Sequence, residues 1–148
     1  MTAPRLAHAL AVLSLMFATA ACTGGHSDPV SYRAALKSMA PAMTKLDMTT
    51  RDASTSGDPM QLSSALQKTV SSAKALLSVI EKVKAGEPNL ARVHAGLVAA
   101  AKNHVAVLED AAASAKATPI PETKGLMNDS TEDLKIAVAD WNDALDGM

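Results

Sequence analysis

Leu62, Leu66, Val70, Ala73, Leu77 and Ile80 recur at steps of four and three, the rhythm of one face of an α-helix. The same rhythm returns in Leu90, Val93, Leu97, Ala101, Val105 and Leu108, and again in Leu126, Ser130, Leu134, Val138, Trp141 and Leu145. An earlier stripe runs Tyr32, Leu36, Met39, Met43 and Leu46, with Pro41 inside it. That proline lacks the amide that would bond the Lys37 carbonyl, so a kink is expected there. No stretch alternates with period two, which argues against strands. The pattern predicts helices over roughly 29–51, 59–85, 88–116 and 121–146.

The breaks between stripes are regular. SDPV at 27–30, GDPM at 57–60, GEPN at 86–89 and ATPI at 117–120 place prolines at 29, 59, 88 and 119. Proline suits the first helical turn, where its missing N–H costs nothing, and a preceding Asp can cap that turn. Gly57 and Gly86 fall where a left-handed helix C-cap is expected. The side chains themselves do not repeat, so the repetition is architectural. Together these signals predict an all-α, up-down four-helix bundle with an alanine-rich, lightly filled core.

The N-terminus reads differently. Arg5 precedes an apolar run from Leu6 to Ala18, and the small residues Thr19, Ala20 and Ala21 lead to Cys22. Leu6 to Ala21 is 16 residues, short of the roughly 20 that cross a bilayer core. This is the layout of a secretory signal peptide over 1–21, excluded from the fold. Cys22 is the only cysteine. An exported chain rarely keeps one exposed thiol, because it invites mixed disulfides. Ordinary cleavage after Ala18-Thr19-Ala20 would leave that thiol free.

Thr19-Ala20-Ala21-Cys22 resembles the lipobox of the bacterial lipoproteins, with Thr19 standing where leucine is commonest. The resemblance implies diacylglycerol on the Cys22 sulfur, cleavage before it and acylation of the new amine, often by palmitate. Residues 22–28 then form a lipidated cysteine and flexible tether, and 29–148 the working bundle. The implied location is the cell envelope, anchored by lipid on the extracytoplasmic face of the membrane.

Charge narrows the function classes. Without Arg5, the 14 basic residues fall to 13 against 15 acidic, so no basic face for nucleic acid is expected. Acid gathers late in the chain, at Glu122, Asp129, Glu132, Asp133, Asp140, Asp143 and Asp146, while 60–116 is net basic. Opposite charges on neighbouring helices can set their pairing, and the acidic face could also meet a basic protein partner.

Candidate chemistry is sparse. His94 and His104 lie at the two edges of the third stripe, part core and part solvent, about 15 Å apart along a helix, too far for one ion. Ala91 and Ala101 occupy the positions where a di-iron bundle carries Glu. Met39 and Met43 sit one turn apart, and thioethers suit Cu(I), but that spacing is also what a core face requires. No nucleophile elbow, zinc-protease helix or phosphate loop is present, so an enzyme is not expected. The expectation is a lipoprotein binding module without cofactor, its partner unspecified. The alternative is a copper- or iron-handling lipoprotein using His94, His104, Met39 and Met43.

Overall fold

The structure, a computed structural model, describes residues 27–147, apart from the side chains of residues 27–31 and of Leu36. The leader, Cys22 and His26 therefore lie outside the described residues, as do the side chains of Asp28 and Leu36, while the Asp28 backbone is already helical, ahead of the start expected at 29. Four helices follow one another: α1 (Ser27–Thr55), α2 (Pro59–Glu81), α3 (Pro88–Ser114) and α4 (Ile120–Asp146). No strand occurs among the described residues. Over the described residues the chain is all-helical, with four helices.

Local chemistry sets the starts. Pro59 opens α2, and Asp58 Oδ1 accepts from the Met60 and Gln61 amides at 2.8 and 3.1 Å. Pro88 opens α3, where the capping side chain is the longer Glu87, whose Oε2 accepts from the Leu90 amide at 2.8 Å. α4 begins differently from expectation. Pro119 is the residue before the helix and offers no side-chain cap, while Pro121 lies in the first turn.

The ends depart from expectation more. No described glycine has a positive φ, so neither Gly57 nor Gly86 forms the left-handed cap predicted for it. At the end of α1, hydroxyls do that work. Ser54 Oγ bonds the Arg51 carbonyl at 2.8 Å and Ser56 Oγ the Asp52 carbonyl at 2.9 Å, with Thr55 Oγ1 shared between both. These bonds satisfy last-turn carbonyls and carry the helix to Thr55, past the expected end at 51. α1 also runs unbroken through Pro41, which is exposed beside exposed Lys37, so water can reach the carbonyl left without its amide.

α2 stops at Glu81, four residues before its expected end. Beyond it Lys82, Lys84 and Gly86 are exposed, while Val83 and Ala85 are half-buried against the core. This is a period-two alternation that the reading of the sequence missed. A continued helix would carry Lys84 onto the face of Ile80 and turn Ala85 away from it. Leaving the helix lets the chain half-bury both apolar residues and keep both lysines exposed.

The core is one cluster drawn from all four helices. In α2 its positions are Leu62, Leu66, Thr69, Ala73, Leu76 and Ile80. Thr69 and Leu76 thus replace the expected Val70 and Leu77, which are half-buried. Steps of four, three, four, three and four keep the 3.5-residue repeat of packed bundles. Thr69 can occupy the core because its hydroxyl bonds the carbonyls of Ala65 (2.9 Å) and Thr49 on α1 (3.0 Å). In α4 Met127 is buried and the expected Leu126 is 49% exposed; in α3 Val93 is only half-buried.

Consecutive helices pack closely, whereas α1 and α4 approach far less. α3 presents Ala101 and Ala111 to the core, while α1 presents Tyr32, Met39, Met43 and Leu46. Tyr32 and Trp141 bridge the wider α1–α4 side edge to face, with ring centroids 5.5 Å apart. The ion pairs between helices join α2 to α3, as Lys74–Glu109 and, at 3.2 Å, Lys102–Glu81. On α4, Glu132 pairs within its own helix, with Lys135. No ion pair among the described residues links α4 to the basic region, so charge does not set that pairing by direct contact.

Candidate functional site

The two histidines have different surroundings. His104 is 2% exposed, not a boundary residue as its edge position suggested. Its Nδ1 lies 2.8 Å from Ser130 Oγ on α4, and that hydroxyl donates to the Met127 carbonyl at 3.1 Å. Ser130 Oγ thus bridges the His104 ring and the Met127 carbonyl. The polar pair is thereby satisfied inside the core, a cross-helix partnership that a helix wheel does not show. Burial lowers the His104 pKa to about 4, against a smaller opposing effect of the Ser130 bond. A serine beside an imidazole invites comparison with an activated nucleophile, but here both groups are sealed in the core, Ser130 at 4% and His104 at 2% exposure.

His94 is half-buried, its ring tilted at 45° to Trp141 with centroids 6.2 Å apart. Burial lowers its pKa as well. Its Nδ1 and the Trp141 Nε1 are both buried and make no hydrogen bond. Trp141 itself is fully buried, as its place between Val138 and Leu145 predicts.

Met39 and Met43 are 1% and 4% exposed and belong to the core. The structure does not bring the two histidines together: one meets Ser130, the other Trp141, eleven residues further along α4. Among the described residues no three His, Cys, Asp or Glu side chains group to hold a metal ion.

A charged cluster that the sequence reading did not single out lies between α1 and α4. Asp47 Oδ2 pairs with Arg51 at 2.9 Å, while its Oδ1 is buried without a hydrogen bond. Burial raises the Asp47 pKa against the pull of Arg51 and of Lys135 across the seam. The visible signal was the Asp-to-Arg spacing of four on a helix.

Two clefts open on different sides. One of about 660 Å³ lies between α3 and α4, with Arg92 and Gly96 on one wall and Asp133, Ile136, Asp140 and Asp143 on the other. Ile136 is 58% exposed there. A Cβ on Gly96 would meet nothing within 4 Å, so the glycine leaves the groove open without serving any internal contact. The other, about 730 Å³, lies where α1 meets the end of α2 and the non-helical segment after it, lined by Ala35, Val79, Lys82, Val83 and Lys84. No protein-family model, curated protein or solved structure matches the chain. No helix among the described residues is long and apolar enough to cross a membrane.

Proposed function

We propose that this chain is a lipoprotein held by lipid on Cys22 at the extracytoplasmic face of the membrane, and that its bundle is a binding module for a protein partner rather than an enzyme. The anchor rests on the Arg5 to Ala21 leader, the Thr19-Ala20-Ala21-Cys22 motif and the lack of any second cysteine. The up-down order belongs to the same proposal. It is supported by contacts whose numbering runs in opposite senses on neighbouring helices. Along α2, Ser63, Lys74 and Glu81 meet Ala112, Glu109 and Lys102 of α3 in turn. Along α3, His94 meets Trp141 and His104 meets Ser130 of α4.

The observation that carries the binding role is the α3–α4 cleft. It combines an exposed isoleucine, an open glycine and three aspartates outside any ion pair with a described residue. An apolar centre with an acidic rim suits a partner segment that carries an apolar anchor flanked by Lys or Arg. A photo-reactive residue placed at Ile136 in living cells tests it, with Met60, 69% exposed on another helix, as the control. A discrete cross-linked species from position 136 alone, lost with Asp140→Lys, is expected. Equal or absent cross-linking at both positions refutes the role of this cleft.

A further inference from the structure

We infer that the cleft between α1 and α2 is the surface that the domain lays against an anionic membrane, with lipid phosphates at Lys82 and Lys84. The inference rests on the lipid-anchor reading and adds an orientation to it.

Charge complementarity is the first argument. Ala35, Val79 and Val83 line the cleft with apolar surface, and the exposed Lys82 and Lys84 line it beside them. Neither lysine, nor exposed Lys37 close by in sequence to Ala35, joins an ion pair with a described residue. Apolar walls edged by unpaired ammonium groups match a bilayer interface, where lysine stems lie along apolar surface and their heads meet phosphates.

Reach is the second argument. Ala35 stands eight residues into α1, about 12 Å from its start. Five residue steps separate Cys22 from Ser27, at most about 18 Å of chain. An acyl-anchored Cys22 therefore keeps the cleft near the headgroups. The acidic α3–α4 cleft shares no helix with this one, and an anionic surface repels its aspartates, which favours the same orientation.

The test uses the mature lipidated protein, its acyl chains verified by intact mass, in nanodiscs of phosphatidylcholine alone or mixed with phosphatidylglycerol. Hydrogen exchange of residues 79–86 should slow with the anionic lipid, recover in high salt and no longer respond in Lys82→Glu/Lys84→Glu. Identical exchange in both lipids, or protection at 133–144 instead, overturns the inference while leaving the anchor standing. If intact mass shows no acyl chain, the anchor fails on its own, and sedimentation of the unlipidated protein with phosphatidylglycerol vesicles decides the cleft. A vesicle affinity lower by about thirtyfold in the double variant, about fivefold per lysine, supports it. No sedimentation, or equal sedimentation of both proteins, overturns it.

Discussion

Burying an imidazole lowers its hold on a proton, and at His104 that loss should appear as acid sensitivity of the whole fold. The side chain is 2% exposed, and its pKa falls from 6.5 to about 4. Below pH 6.5 the unfolded chain takes up a proton that the folded chain refuses, so stability drops as pH falls and levels off below about 4. Linkage puts the loss at about 1 kcal/mol at pH 6, about 2 kcal/mol at pH 5 and about 3 kcal/mol at the plateau. His104→Leu removes the titrating group and leaves Ser130 Oγ its bond to the Met127 carbonyl. Urea unfolding followed by circular dichroism at about pH 8, 6 and 5 should show the wild type losing stability faster than the variant, by the amounts above. Carboxylates and His94 titrate in both proteins and cancel in the difference. Parallel curves for the two proteins would refute the reasoning.

Trp141→Ala should cost about 3–5 kcal/mol in chemical unfolding, because the side chain is fully buried between Tyr32 and His94; a loss below about 1 kcal/mol would contradict that packing. Asp58→Ala removes the acceptor of two first-turn amides and should lower stability by about 1 kcal/mol. Gly96→Ala should raise stability by about 0.5–1 kcal/mol, since its new methyl meets nothing and the helix backbone has less freedom to lose. Wild type should enter the detergent phase on phase partition and Cys22→Ala should not, with intact mass showing acyl chains on a mature N-terminus at Cys22; a mature chain starting at Ala21 with an unmodified thiol removes the anchor.

The helix count and the starts at Pro59 and Pro88 were legible because each is local, a proline with an acidic side chain before it. The C-termini were not. The expected glycine caps gave way to hydroxyl–carbonyl bonds at Thr55 and Ser56, and serine and threonine are so frequent in this chain that none of them marks an end. Core positions were legible to within one residue. Thr69 displaced Val70, and Met127 displaced Leu126, because the bundle keeps a 3.5-residue repeat and a buried hydroxyl found carbonyls to bond. His104 illustrates the limit of a helix wheel. Its angle was right, but its burial depends on Ser130, 26 residues away. The clefts depend on how helices meet and on the non-helical path of Lys82 to Gly86. A short alternation beside a helical stripe is easily read as more helix.

The five methionines among the described residues divide into two populations. Met39, Met43 and Met127 are sealed in the core, while Met48 and Met60 are 61% and 69% exposed. Peroxide therefore reaches the outer thioethers first, where a sulfoxide adds polarity to a surface already in water and disturbs no packing. The inner three react only when the bundle opens. A sulfoxide formed there cannot be reburied without placing a polar oxygen in the core, so each opening event becomes irreversible until a reductase acts. Oxidant thus turns transient unfolding into permanent loss, and the rate at which the inner methionines oxidise is a clock for how often the helices part.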